Sequence, residues 1–273
     1  MTAKDPSKLK QIVKEKYGAI ADQSERQGGA TCCGSSCGCS SDFDVMTPEY
    51  TNVVGYVREA DLGLGCGIPT EVADIKSGDT VLDLGSGAGN DCFVARSIVG
   101  ESGNVIGLDM TERMIDKANE NNRKLGFDNV EFKLGEIEAM PVADNTADVV
   151  ISNCVLNLVP DKGKAFAEIY RVLKPGGHFA ISDIVLKGDL PEKLREDATM
   201  YAGCVSGAVQ YEEYLNVIHN TGFQNVGVPK ERPTPLPDEV YAKYLTDTEM
   251  NDLKKSGIGI FSITVVGSKP STV

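Results

Sequence analysis

Residues 80–91 read TVLDLGSGAGND, and after a helix-length gap residues 104–110 read NVIGLDM. The run from Thr80 to Leu84 is apolar and β-branched and breaks into Gly85, Gly87 and Gly89. That is the pattern of a buried parallel strand that empties into a glycine-rich turn and then a helix. The stretch predicts a nucleotide site.

Glycine spacing selects among nucleotides. A dinucleotide turn reads G-x-G-x-x-G and brings a helix N-terminus against a pyrophosphate. Here the spacing is G-x-G-x-G, and Asn90 stands where the third dinucleotide glycine would be. Asp109 closes the next strand, in reach of a ribose diol whose two hydroxyls donate to one carboxylate. Asp83, just ahead of the turn, repels a phosphate and suits a cationic amino-acid end. S-adenosylmethionine satisfies all three features, with Gly85, Ser86, Gly87, Gly89 and Met110 completing the candidate cofactor site around Asp83 and Asp109.

Composition bounds the rest. A chain of 273 residues is long enough for one large core with additions. We divide it into an N-terminal helix and cysteine-rich segment (1–50), a cofactor-binding core (51–186) and substrate-side helices with the final strands (187–273). A net charge of −13 disfavours nucleic acid and anionic membrane surfaces as partners. No run approaches the roughly 18–20 apolar residues of a membrane helix, and the opening MTAKDPSKLK lacks the apolar core of a signal peptide, so a cytosolic protein is expected. Eight cysteines in that setting are expected to be mostly thiols. With only His178 and His219 as histidines, a soft-ion site has to be built from sulfur.

Outward from the central stretch, residues 6–22 carry Leu9, Ile12, Val13, Tyr17 and Ile20 near helical spacing, an amphipathic helix expected to lie over the cofactor mouth. Residues 28–41, GGATCCGSSCGCSS, place Cys32, Cys33, Cys37 and Cys39 on a glycine- and serine-rich tether. Residues 51–60 read as a helix, and LGLGCGIP sets Cys66 on a loop, as a thiol outside the core. Beyond Met110 come a helix at 111–125, a strand at 130–134 and then Glu136 and Glu138. A carboxylate or backbone group there could meet an adenine amino group, and for Glu138 a solvated loop is the simpler reading.

ADVVISN, residues 147–153, is a fourth strand apolar enough for burial on both faces, and it delivers Asn153 and Cys154 at its carboxyl end, where open α/β sheets bind ligands. A helix at 161–173 stops at Pro175-Gly176-Gly177, and HFAISDIV is strand five, with Gly177 and His178 serving the turn. A helix at 191–202 precedes Cys204, which sits among small residues in AGCVSGA. Helices at 211–221 and 237–255 and strands at 223–228 and 260–267 follow. Alternating strands and helices demand a parallel sheet with right-handed crossovers, and a last strand added antiparallel makes it seven-stranded.

VLDLGSGAGND, GLDMT, LGEIEAMPV, SNCVLNL, RVLKPGG and AGCVSGA together resemble the arsenite S-adenosylmethionine methyltransferases, over roughly residues 10–230. The glycine motif alone says only class I methyltransferase; SNCVLNL with LGLGCG and AGCVSGA narrows it. The resemblance implies a Rossmann-like, mostly parallel seven-stranded fold and methylation of trivalent arsenic. It implies that Cys154 and Cys204 bind arsenic and that Cys66 is a third thiol, a ligand or a disulfide partner during turnover. The family has a further amino-terminal cysteine; Cys32, Cys33, Cys37 and Cys39 are all candidates for it, and Cys33 stands for them in the candidate set.

The chemistry agrees with that resemblance. Trivalent arsenic is a soft, three-coordinate thiophile with a lone pair, held better by three thiolates than by oxygen or imidazole. Its lone pair can attack a sulfonium methyl without a general base, which suits a histidine-poor chain. Transfer oxidises arsenic formally, and a thiol pair going to a disulfide returns two electrons. This gives the N-terminal cysteines a redox role with Cys66, and an external thiol or thioredoxin the part of terminal reductant. Cys92, in the first turn of the helix after the glycines, reads as a small apolar packing residue. A methyltransferase for a small carbon or oxygen acceptor, such as a quinone precursor, would share every cofactor motif. A metalloid sensor or zinc-thiolate protein would use the cysteines and leave Gly87 and Asp109 idle.

Overall fold

The computed structural model describes residues 6–26, 50–192, 194 and 207–271. Within them runs one seven-stranded sheet: β1 (Thr80–Leu84), β2 (Asn104–Asp109), β3 (Val130–Leu134), β4 (Ala147–Asn153), β5 (Leu173–Lys187), β6 (Gln224–Pro233) and β7 (Gly259–Ser268), in the order β3-β2-β1-β4-β5-β7-β6. The first five pair in parallel, and β7 runs antiparallel to both β5 and β6. The order reverses between β1 and β4, so the crevice beyond their carboxyl ends is the switch point where such sheets take ligands.

Local sequence explains most elements. β1 and β4 are apolar runs buried on both faces, as central parallel strands must be. Helices α2 (Asn90–Val99), α3 (Glu112–Leu125) and α4 (Lys162–Val172) cover the sheet between strands. The Asp161 side chain accepts from the Lys164 amide at 3.0 Å and so starts α4 one residue later than its sequence pattern suggests. N-terminal α1 (Pro6–Arg26) is helical as its spacing predicts, and α5 (Tyr211–Asn220) backs β5.

Three expectations change. Residues 51–60 form successive turns instead of a helix, because Tyr50, Val53 and Tyr56 are drawn onto Ile68 and Val94 and their amides close short i→i+3 turns. The helix expected over 237–255 divides into α6 (Asp238–Tyr241) and α7 (Asp247–Ser256), because Thr246 and Glu249 form a reciprocal capping box that starts a new helix. His178 lies inside β5 and its Nε2 is 2.6 Å from the Ala73 carbonyl, tying the segment before β1 to the sheet instead of serving a turn. The 191–202 helix falls mostly outside the described residues, as do Cys32, Cys33, Cys37, Cys39 and Cys204. No described helix is long and apolar enough to cross a membrane.

Candidate active site

A cleft of about 1200 Å³, counting the space at its mouth, opens at the switch point. Asp83, Gly85, Ser86, Gly87, Asp109, Met110, Glu136, Asn153 and Cys154 all line it, so the structure gathers the candidate cofactor residues with one of the candidate thiols. Gly89 stands behind the wall as the left-handed N-cap of α2. The α1 face carrying Lys10, Val13 and Tyr17 lies over the mouth, as its amphipathic spacing predicted.

At the glycine end, backbone and carboxylate hold each other. The Gly87 amide donates to Asp109 Oδ2 at 3.0 Å and the Thr111 amide to Oδ1 at 2.8 Å, which fixes the carboxylate at the end of β2. Burial pushes the Asp109 carboxyl up, and these backbone donors pull the other way. Gly85 has no room for a side chain, since a Cβ there would come within 2.4 Å of Val155, the neighbour of Cys154. The glycine turn therefore packs directly on the turn that carries that thiol.

The electrostatics of the cleft suit a cation. Asp61, Asp83, Asp91, Asp109, Glu136 and Glu138 line it, and Lys10 is the one cationic side chain among the described lining residues. Lys10 is itself paired with Glu136 at 2.7 Å and with Glu138. Burial and the neighbouring Asp91 charge push Asp83 well above the usual carboxylate range, and burial lifts Asp91 to about 6. An arriving positive charge relieves this arrangement, whereas a pyrophosphate would worsen it. Cys92 packs at the base as expected, and its Sγ lies 3.2 Å from Asp83 Oδ2 as a weak donor. Ser86 Oγ is buried with no hydrogen-bond partner among the described residues, a polar atom poised for a ligand. These features fit S-adenosylmethionine: acids for its cationic centre, a fixed carboxylate for its ribose, and an orphaned hydroxyl in the glycine turn. Glu138 departs from the solvated reading, because Lys10 holds it in the wall with its side chain 12 % exposed.

The thiol end is made from distant segments. Cys66 and Cys154, 1 % and 3 % exposed, pack in one apolar cluster with Ile184, Leu186, Leu236 and Ile260. Cys66 is thus a loop residue with a core environment, which corrects the sequence reading. The cause is the Asn153 amide: its Oδ1 accepts from the Cys66 and Gly67 amides at 3.0 and 3.2 Å, and its Nδ2 lies 2.8 Å from the Gly67 carbonyl. Ser262 Oγ donates to the Cys66 carbonyl at 2.6 Å from β7. Gly67 is pressed so closely on β5 that a Cβ there would fall 2.3 Å from Ser182 Oγ. Cys154 takes a left-handed backbone, φ 62°, held by its amide donating to the Ser182 carbonyl at 2.7 Å. Behind it Asp183, its carboxyl raised to about 7 by burial against the pull of Lys162, accepts from the Tyr214 hydroxyl at 3.1 Å. Sequence reasoning missed Tyr50 and Asp91, which join Asn153 at this end; Asp91 was visible in GND, but Tyr50 carries no motif.

Comparison with known proteins agrees with this geometry. A methyltransferase-domain family profile matches residues 75–222. The arsenite methyltransferase of Halobacterium salinarum is 40% identical over 98% of this chain and 68% of its own length, and that of Aquipseudomonas alcaligenes is 34% identical over 88% and 69%. The crystal structure of CrArsM, an arsenic(III) S-adenosylmethionine methyltransferase from Chlamydomonas reinhardtii, superposes with a TM-score of 0.62 at 34% identity, covering 76% of this chain and 68% of that one. By these matches the chain belongs to the S-adenosylmethionine-dependent arsenite methyltransferases.

Proposed function

We propose that this protein methylates trivalent arsenic held by the thiolates of Cys66 and Cys154, with Cys204 as the third ligand. The observation that carries the reading is Cys154 in the wall of a cleft whose other end suits the methyl donor, sharing one buried apolar cluster with Cys66. When bound, S-adenosylmethionine supplies an electrophilic sulfonium methyl to the arsenic lone pair. Asp109 takes the ribose hydroxyls, Ser86 and the Gly85 and Gly87 backbone take the amino-acid end, and Asp83 and Asp91 balance positive charge. Glu136 and Met110 flank the adenosine. The protein's share of the catalysis is alignment of two bound reactants, an effect of order 10⁵ M or more in effective molarity. Cys66 and Cys154 keep arsenic soft-ligated, and the apolar wall of Ile184, Leu186 and Ile260 keeps water from competing with sulfur.

Transfer leaves arsenic formally pentavalent. In our reading two cysteine thiols, Cys66 and one of Cys32, Cys33, Cys37 and Cys39, close to a disulfide, and the two electrons return arsenic to the trivalent state. Thioredoxin or a small thiol then reduces that disulfide, its own dithiol being oxidised in exchange. Such a cycle belongs in a reducing compartment, which is why we place the protein in the cytoplasm. The deciding experiment supplies arsenite, a reducing thiol and methyl-labelled cofactor and identifies products by mass spectrometry. Label on arsenic is expected, and label only on a carbon or oxygen acceptor would overturn the reading. Replacing all four N-terminal tract cysteines by serine is expected to spare the first transfer in a single turnover and block later rounds.

A further inference from the structure

The Tyr50 ring is buried, 4 % exposed, against Ile68 and Val94 and stacks on Tyr56 with 6.3 Å between centroids. Its hydroxyl reaches the wall between the two halves of the cleft. It donates to Asp91 Oδ1 at 2.7 Å, accepts from Asn153 Nδ2 at 2.8 Å and lies 3.1 Å from the Gly67 carbonyl. Asp91 stands in the first turn of α2, directly after the glycine turn. Asn153 fixes the Cys66 and Gly67 amides. One hydroxyl therefore joins the helix that begins at the cofactor turn to the loop that carries a thiol, across a span of sequence from residue 50 to residue 153.

We propose that Tyr50 is a positioning residue for methyl transfer: its hydroxyl fixes the Cys66 loop relative to the glycine turn, so that donor and acceptor meet in line. This rests on the arsenic-methylating reading above. The hydroxyl acts on the reactants through Asp91 and Asn153, which line the cleft. If the hydroxyl is removed, Asn153 keeps its two contacts to the Cys66 and Gly67 amides, and its Nδ2 keeps the Gly67 carbonyl and Asp91 Oδ2. The ring still fills its place, and Asp91 loses the donor to Oδ1 while Oδ2 keeps Asn153. What is lost is one of the two ties between α2 and the Cys66 loop, and with it part of the relative orientation to which transfer is most sensitive, since a shift of about 1 Å can cost about 10²-fold in rate.

The test is Tyr50→Phe, with S-adenosylhomocysteine and arsenite affinities measured separately by calorimetry and the single-turnover transfer rate measured with labelled cofactor. Both affinities are expected to stay within about twofold, while the rate falls about 10- to 100-fold. Tyr170→Phe, which removes a hydroxyl from a ring packed on Phe223 outside the cleft, is expected to keep the parent rate. An unchanged rate in Tyr50→Phe overturns the proposal, as does a rate loss fully accounted for by weaker binding of either reactant. If melting curves show Tyr50→Phe unfolded, 4-aminophenylalanine at position 50, which keeps the ring and a donor for Asp91 but accepts poorly from Asn153, decides in the same way: slowed transfer with both affinities kept supports the strut, and a parental rate overturns it. A parent protein that leaves arsenite unmethylated removes the functional reading itself, whatever Tyr50 does.

Discussion

The cofactor end of the cleft comes from one nearly unbroken stretch, residues 80–111, in which a strand, a glycine turn and the end of the next strand lie side by side because adjacent parallel strands must. The thiol end is assembled from residues 50, 66–67, 153–154, 182 and 262, brought together by hydrogen bonds between segments far apart in sequence. Local construction makes the first end a motif that any class I methyltransferase can carry. Non-local construction makes the second end dependent on several separate segments keeping their places, and so the more sensitive to small displacements.

If the two ends are separable in this way, changes at one should spare the other. The largest effect is expected from Cys154→Ser, which puts a hard hydroxyl where a soft ligand is needed. Arsenite methylation should fall below detection while calorimetry finds S-adenosylhomocysteine affinity within about threefold of the parent, a change of well under 1 kcal/mol and the scale of an ordinary surface substitution. Arsenite binding at parental strength would remove Cys154 from the ligand set. Asp109→Ala is the mirror experiment. It removes a carboxylate held by two backbone amides, the group proposed above to take the ribose hydroxyls, so cofactor affinity should drop about 10- to 100-fold, the worth of a hydrogen bond to a charged group. Arsenite affinity should hold. If both affinities collapse together, the two ends are one cooperative unit and the division fails.

The same division explains what could be read in advance. The sheet, the sequence of strands and central helices, the antiparallel β7 and the gathering of Asp83, Gly85, Ser86, Gly87, Asp109 and Met110 at one cleft were legible, because glycine spacing and apolar runs are local signals. Cys66 misled: glycines and a proline around it describe a loop correctly, but nothing near it in sequence announces that Asn153, far along the chain, will pull that loop into the core. Tyr50 failed for the same reason in stronger form, since the pull that buries it comes from Ile68, Val94 and Asp91 and converts a helix-like pattern at 51–60 into turns. Glu138 looked solvated because its partner, Lys10, lies on α1. The helix at 237–255 was divided by a capping box, Thr246 to Glu249, that is visible in the sequence and outweighed by the longer periodic run around it.

A third change tests how tightly the thiol end is packed. Gly67→Ala drives a methyl into Ser182, and overpacking of this kind costs about 1–3 kcal/mol. A lower melting temperature with slower transfer is expected, and Ser182→Gly in the same chain should restore much of both by removing the atoms in the way. A fully stable Gly67→Ala protein would mean the Cys66 loop yields easily, and the contrast between a strained end and a robust one would have to be given up.

The smallest effect concerns the mouth on the cofactor side. Lys10 on α1 pairs with Glu136 and Glu138 beyond β3, and the same helix face sets Val13 and Tyr17 against the cleft. Burial works against the Lys10 ammonium, but its hydrogen bonds to both glutamates and their negative charges outweigh it and leave its pKa raised, so the pair is formed at neutral pH. Because the ion pair is partly exposed, it is worth about 0.2–1 kcal/mol. Lys10→Ala removes that tether and also leaves two carboxylates unpaired, which attract a cationic ligand; the two consequences oppose each other in affinity but not in rate. The loosened helix should let S-adenosylhomocysteine leave about two to five times faster at low salt, in line with that energy. In 1 M salt, where screening acts within about 3 Å, the parent loses its own tether and the difference should vanish. Stopped-flow dissociation at both ionic strengths reads this directly. A salt-independent increase would mean α1 is held by apolar packing through Val13 instead, and an unchanged rate at low salt would mean that the helix does not restrain the ligand at all.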